Sequence, residues 1–227
     1  MIAIGFYLLT ALCVVLVSLL LASSENKPFE TKRFGIALTV QLGWLAYIFF
    51  ISNAGLTAVP GIPPRIVEFL VAPALIGIIL FNTLKSTSHI IVQTPLKNIV
   101  LLQSFRIVVE ILLFLSAKAL IVPKEVTFEG NNYDIVIGIT APIISILIVQ
   151  NKISPMLFRI WNFAGLATLA IVVTTFMAKL FLPTFKLPNA DAMIAQFGNA
   201  PFTFLPGYLM PLAVGLTIMA LKKSKSI

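Results

Sequence analysis

In the sequence QSFRIVVEILLF, residues Gln103–Phe114, an arginine and a glutamate stand four residues apart among apolar side chains. The apolar run extends on both sides, from Asn98 to Val122. It exceeds the length of about 20 residues that a helix needs to cross the hydrocarbon core of a bilayer. We therefore predict a transmembrane helix that carries two charged groups, Arg106 and Glu110, inside the membrane.

The composition of the whole chain agrees with this prediction. Of the 227 residues, 59% are hydrophobic and only 11% are charged, and the mean hydropathy is +1.04. Soluble domains carry about 25% charged residues, so the chain is predicted to be an integral membrane protein. Cys13 and His89 are the single members of their types, which excludes an internal disulfide and a cysteine- or histidine-clustered metal or haem centre. No metal and no cofactor are predicted.

The remaining apolar stretches predict an all-α fold in one domain, residues 1–227, with seven transmembrane helices. The first stretch lacks a basic leading segment and exceeds the usual 7–15 apolar residues of a secretory signal, so it is predicted to be a retained helix. The predicted spans are Ile2–Ala22, Phe34–Leu56, Ile66–Leu84, Asn98–Val122, Tyr133–Gln150, Met156–Leu182 and Phe202–Leu221.

The distribution of Lys and Arg predicts the orientation, because cytoplasmic loops carry an excess of both. The larger set comprises Lys27, Lys32, Arg33, Lys85, Lys97, Lys152, Arg159, Lys222, Lys223 and Lys225. The smaller set comprises Arg65, Lys118, Lys124, Lys179 and Lys186. The larger set is placed in the cytoplasm, with the N-terminus outside and the C-terminus inside. This bias accounts for much of the net charge of +8, so the predicted partner is the lipid bilayer and not a nucleic acid.

A recurring proline indicates that the chain is one helix followed by three helical hairpins. Pro73, Pro142 and Pro211 lie near the middle of the third, fifth and seventh spans. A proline inside a helix removes a backbone hydrogen bond and kinks the helix. Three kinks at one depth would splay the outer half of the bundle into a cavity. The alternative is that the prolines reflect only their general frequency in membrane helices.

Charged groups at mid-membrane cost about 2.5–3.5 kcal/mol on the insertion scale, and they face the bundle interior or a water-filled cavity. The spacing of four puts Arg106 and Glu110 on one helix face, where they can pair. Burial and the arginine act on the Glu110 carboxyl in opposite senses. Two alternatives therefore stay open, a functional site with Glu110 as proton carrier and a fixed polar clasp between helices.

Further binding candidates are predicted around this pair. Gln103 lies one turn inward on the same helix, Glu68 near the outer end of the third span, and Asn53 at the outer end of the second. The acidic outer loop PKEVTFEGNNYD adds Glu129 and Asp134. Clustered carboxylates could bind a hard cation, but the EF-hand spacing is absent and solvated loop charge is the preferred interpretation. The Gly-Asn pair at 130–131 predicts a turn with positive φ.

The last outer loop contains a predicted short helix. Asn189 can cap it, and Gly198 can end it. Ala190, Met193, Ile194 and Phe197 would share one face, which predicts packing on top of the bundle or a helix in the membrane interface.

Four segments carry a resemblance to a known family: QSFRIVVEILL, VTFEGNNYDIVIGITAP, WNFAGL and PFTFLPGYLMPLA, between Gln103 and Ala213. The chain resembles a family of uncharacterised bacterial seven-helix inner-membrane proteins. The resemblance implies a bacterial inner membrane, and it implies that the arginine–glutamate helix and the FEG loop belong to one site. Relatives tend to have a basic residue at Asn131 and a histidine at Thr217, so a role that needs that histidine cannot apply here.

The function predicted is the binding or transport of a small polar solute or ion through an outward-facing cavity at Arg106 and Glu110. The alternative is a non-enzymatic accessory or assembly subunit, whose partners would be other membrane subunits. A lipid-active membrane enzyme is a weaker third hypothesis, because the sequence offers no nucleophile–base set and no HExxH motif. No catalytic residues are predicted.

Overall fold

The computed structural model describes residues 1–24 and 29–224, and Lys27 and Lys225 of the basic set lie outside them. Those described residues are all-helical, with no strand. The helices are α1 (Ile2–Ala22), α2 (Thr31–Asn53), α3 (Ala72–Thr83), α4 (Lys85–Gln93), α5 (Leu96–Leu102), α6 (Phe105–Lys118), α7 (Asp134–Val149), α8 (Pro155–Phe181), α9 (Ala190–Phe197) and α10 (Met210–Lys223). A helix lies at each of the seven predicted spans.

Five helical stretches are long and apolar enough to cross a membrane. They are α1, α2, α8, the α5–α6 pair over Leu96–Lys118, and Leu205–Lys223. A sixth is formed if Val67–Thr83 and α4, which are bent by 78°, count as one span. The seventh, α7, is apolar but has only 16 residues. In α2 only Ile48 and Ser52 are buried, and such a continuous apolar exterior is typical of a surface that faces lipid.

Helix α4 occupies a segment that the sequence analysis treats as a connecting loop. The chain bends before it because Leu84 adopts an extended conformation, with φ −67° and ψ 137°. The helix ends at Gln93, since Pro95 disfavours a helical conformation for Thr94. His89 therefore lies on a helix and not in a loop.

Two of the three recurring prolines share a local structure. A π-helical turn, Val67–Val71, precedes Pro73, and another, Leu205–Leu209, precedes Pro211. Pro142, by contrast, lies inside the regular helix α7. The first and third predicted hairpins thus share the π-helical turn before the proline, and the second does not.

One turn of α2 binds both of these irregular turns. A proline cannot donate to the carbonyl four residues before it; for Pro211 that carbonyl is Gly207, and for Pro73 it is Phe69. Trp44 Nε1 donates to the Gly207 carbonyl over 2.8 Å. Tyr47 Oη donates to the Phe69 carbonyl over 3.1 Å. The two aromatic rings stack with centroids 5.0 Å apart, so adjacent aromatic side chains satisfy both freed carbonyls.

Helix α7 lies antiparallel to α5–α6. Gly138 faces Ile107, whose Cγ1 would be only 2.8 Å from a Cβ at position 138. Further inward, Ser145 Oγ donates to the Lys97 carbonyl over 3.0 Å. A glycine is required at 138 because any side chain would push α7 away from the helix that carries Arg106.

The short helix α9 has the predicted bounds and the predicted buried face of Ala190, Met193, Ile194 and Phe197. It packs on the outer part of α8. Gly198 follows it and lies against the backbone of Thr57 and Ala58.

The predicted positive φ in the 130–131 turn is wrong, because Gly55 is the one glycine with positive φ among the described residues. Gly130 is required for another reason. A Cβ there would be 2.5 Å from the Cα of Glu125.

Candidate functional site

Arg106 is the centre of a buried polar network that joins four helices. Its Nη1 donates to Asp134 Oδ1 over 2.6 Å and to the Gly165 carbonyl over 3.4 Å. Its Nη2 donates to the Ala213 carbonyl and to Thr217 Oγ1, each over 3.3 Å. The side chain is 1% exposed. One guanidinium on α6 thus contacts α7, α8 and α10.

The ion partner of Arg106 is Asp134, the first residue of α7. Among the ion pairs of the described residues none joins Arg106 to Glu110, so the expected pairing of these two residues along α6 is not formed. The reason is that the 124–133 loop folds into the bundle and brings Asp134 to the guanidinium. Thr168 Oγ1 also donates to Asp134 Oδ1, over 2.9 Å. The carboxylate is therefore held from α6 and α8 at once.

Glu110 is bound to the same loop. Asn132 Nδ2 donates to Glu110 Oε1 over 2.6 Å and to the Val126 carbonyl over 3.0 Å. Asn132 Oδ1 accepts the backbone N–H of Asp134 over 2.9 Å. The other carboxyl oxygen, Glu110 Oε2, is buried and has no hydrogen-bond partner. One oxygen of this carboxyl group thus accepts a hydrogen bond from the protein, and the other does not.

Gln103 extends the network inward by one turn. Its Nε2 donates to Thr217 Oγ1 over 3.1 Å, and Thr217 in turn donates to the Ala213 carbonyl over 2.9 Å. The Gln103 Oε1 atom and the Arg106 Nε atom are buried without partners.

Beside this network lies a cavity of about 340 Å³. Arg106, Glu110, Asn132 and Asp134 form the polar part of its wall. The rest is Pro64, Ile66, Val67, Val71, Phe105, Val109, Leu113, Val126, Leu169, Val172, Val173, Phe176, Met177, Phe197, Leu205, Pro206, Leu209, Met210 and Ala213. Both π-helical turns contribute to it. The cavity reaches the end of the bundle that carries the loops before α3, α7 and α10.

A second cavity, of about 560 Å³, lies on the other face of α10. Pro211 and Gly215 line it from α10, Tyr208 lines it from the preceding π-helical turn, and Arg33 lines it at the start of α2. Helix α10 therefore forms a wall of both cavities.

The structure brings four of the predicted binding residues together, namely Arg106, Glu110, Gln103 and Asp134. It leaves three outside. Glu68 is exposed and pairs with Arg65 over 3.7 Å, and Asn53 is exposed at the end of α2. Glu129 is exposed in its loop.

Three residues of the network are missing from the predicted site. The sequence pattern places Asn132 in a solvated loop, but it is 1% exposed. Thr168 and Thr217 lie in apolar helices. A threonine there does not indicate a binding site, because its hydroxyl can donate to a carbonyl of its own helix. A signal does exist for Gly165 in WNFAGL, since a glycine within a membrane helix indicates a close approach. A Cβ there would be 3.4 Å from Arg106 Nη1.

The two glutamates of the loop before α7 are paired with lysines. Glu129 Oε2 lies 3.7 Å from Lys118 Nζ and 3.8 Å from Lys124 Nζ. Glu125 Oε1 lies 3.0 Å from Lys179 Nζ. Partial burial opposes ionisation of Glu125, but the Lys179 ammonium and a backbone hydrogen bond outweigh it and hold the pKa of Glu125 below its usual value. The preferred interpretation of this loop as ordinary surface charge remains a prediction.

Comparison of the chain with protein-family models, curated proteins and solved structures finds no match.

Proposed function

We propose that all seven predicted helices cross a bacterial inner membrane, with the N-terminus outside. The packing supports alternating directions. Helix α7 is antiparallel to α5–α6, and α8 is antiparallel to α7 because Trp161 contacts Thr140 while Thr168 contacts Asp134. Basic residues gather at the end assigned to the cytoplasm, where Arg33 bonds to Gln93 over 2.7 Å. Helix α7 is short because the loop before it enters the bundle. Backbone at this depth is tolerated where protein covers it.

The function supported best is the binding and transport of a small solute through the cavity beside Glu110. The observation that carries this proposal is that Glu110, whose Oε2 atom has no hydrogen-bond partner, lines the cavity. A buried polar atom without a partner costs about 1–3 kcal/mol, so fold stability alone does not favour it. A bound solute would supply the missing hydrogen bond.

This proposal divides the two charges between two roles. Arg106 is the polar clasp, because its Nη atoms bond to three neighbouring helices. Glu110 is the ligand-facing group. The two cavities on opposite faces of α10 favour transport over binding alone, because a modest shift of this helix would alter both.

The accessory-subunit hypothesis receives less support. It places Arg106 and Glu110 against a partner, but each is 1% exposed and covered by the chain's own helices. The enzyme hypothesis also receives little support, since no Ser, Cys or His stands among the described residues that line the cavity beside Glu110, called the outer cavity below.

The test is the reaction of a membrane-impermeant maleimide with intact cells that produce single-cysteine variants in a Cys13→Ser background. Val109 lines the cavity and is 7% exposed, whereas its neighbour Val108 faces away and is 43% exposed. Both lie at the same depth, and neither change removes a charge. We expect Val109→Cys to react and Val108→Cys to stay unmodified, because only the first lines the cavity that is proposed to open outward. A folded Val109→Cys protein that does not react would contradict an outward-facing cavity.

A further inference from the structure

We propose that the solute taken by the Glu110 cavity is an amphiphile: a largely apolar molecule with a neutral head group that carries a hydrogen-bond donor beside an acceptor, such as a hydroxyl or a primary carboxamide. This inference rests on the proposed function and narrows its substrate class. It also departs from the small polar solute or ion that the sequence favours.

The walls of the cavity select an apolar body. Of the residues that line it, all but Arg106, Glu110, Asn132 and Asp134 are aliphatic, aromatic, proline or methionine. A hydrated ion or a small sugar would lose water contacts there and find few partners, which is unfavourable. Sites lined by apolar side chains with a few polar groups on one side are typical of drug-sized apolar ligands. The volume of about 340 Å³ lies at the lower end of that class.

The unpartnered atoms select the head group. Glu110 Oε2 can accept a hydrogen bond, and the Arg106 Nε–H can donate one. They belong to residues one helical turn apart on α6, and both residues line the cavity. Asn132 offers nothing further, because both of its amide hydrogens and its oxygen are bonded. A head group with one donor and one acceptor would satisfy both atoms.

The same two atoms favour a neutral head. An ammonium group only donates and would leave the Arg106 Nε–H without a partner, and a carboxylate only accepts and would leave Glu110 Oε2 without one. A neutral donor–acceptor group satisfies both atoms.

The experiment is photolabelling of the protein in nanodiscs with two probes that share an eight-carbon, diazirine-bearing chain. One probe ends in a primary alcohol, and the other in a methyl ketone, which only accepts. We expect saturable labelling of cavity residues such as Leu113 and Val172, mapped by mass spectrometry. The alcohol should bind about tenfold more tightly than the ketone, since the ketone leaves Glu110 Oε2 unpartnered. Unlabelled octanol should compete, and glycerol should not.

The variant Glu110→Gln tests directly whether Glu110 Oε2 sets the preference for the alcohol probe. The Gln oxygen would take the hydrogen bond of Asn132, and the Gln amide would then present a donor to the cavity. The preference should invert in favour of the ketone. The matched control is Glu30→Gln at the opposite end of the bundle, where Glu30 pairs with Arg33. There the alcohol preference should persist.

The outcomes separate this inference from the proposed function. Equal binding of both probes, unchanged by Glu110→Gln, would overturn the assigned head-group chemistry. Absence of saturable labelling together with maleimide reaction at Val109→Cys would overturn the amphiphile but keep a solute path. Absence of both would overturn the inference and the proposed function together.

Discussion

Arg106 is stable inside the bundle because its hydrogen bonds are distributed over four partners. Asp134 supplies the opposite charge, and the carbonyls of Gly165 and Ala213 and the hydroxyl of Thr217 supply neutral acceptors. A buried pair of this kind is rarely better than apolar residues of equal volume, but removing one member leaves an uncompensated charge. The network therefore specifies how α6, α7, α8 and α10 meet.

Arg106→Met should lower the free energy of unfolding by about 3–5 kcal/mol, because Asp134 is left as an unpaired buried charge. The double variant Arg106→Met/Asp134→Leu should recover most of that loss. Unfolding by a denaturing detergent, followed by circular dichroism, measures both. Losses that simply add in the double variant would mean that the 2.6 Å ion pair is not the basis of the effect.

Helix α2 acts as a support for the two irregular helices. Only Ile48 and Ser52 of this helix are fully buried, yet Trp44 and Tyr47 supply the donors for the two carbonyls that Pro211 and Pro73 leave free. The π-helical turns at these points border the outer cavity, and the prolines border the second one. Helix α2 thus holds the segments that separate the two cavities.

Trp44→Phe should cost about 1–3 kcal/mol, since the Gly207 carbonyl then lacks a donor. In a Pro211→Ala background the cost should fall, because the alanine N–H at 211 becomes a substitute donor. The measurement is a double-mutant cycle on the free energy of unfolding. A cost for Trp44→Phe that is the same in both backgrounds would show that ring packing, rather than the hydrogen bond, is what the substitution removes.

For the molecule as a whole, the number of membrane crossings depends on whether the short helix α7 crosses the membrane. Its 16 residues span about 24 Å, against about 30 Å of hydrocarbon. The loop before it compensates, since Asn132 and Asp134 are buried beside α6 within the bundle. An odd number of crossings would place the two termini on opposite sides.

Fusions that report location test this topology. Alkaline phosphatase fused after residue 124 should be active, because that point lies before α7 on the outer side. Green fluorescent protein fused after residue 152 should fluoresce, because that point follows α7 on the cytoplasmic side. The reciprocal fusions serve as controls. The same location for both points would mean that α7 does not cross.

The sequence by itself determined the helices and the region of the site. Apolar length and charge placement are local properties, so the positions of seven helices, the bounds of α9 and the burial of Arg106, Glu110 and Gln103 were accessible from it. Only the nearby prolines indicate the π-helical turns in the sequence. Helix α4 was not predicted, because its segment is neither apolar enough for a span nor rich in turn residues.

Only the tertiary structure decided which groups are partners. The choice of Asp134 over Glu110 for Arg106 depends on a loop that folds inward through Gly130, and on Gly138 and Gly165, which let α7 and α8 approach the guanidinium. The hydrogen bonds of the guanidinium join residues as far as 111 positions apart. Pairing inside a bundle is a property of distances between helices, which spacing along one helix does not contain. For the same reason the sequence analysis found the charge at Glu110, but only the packing revealed its free oxygen and the apolar cavity around it.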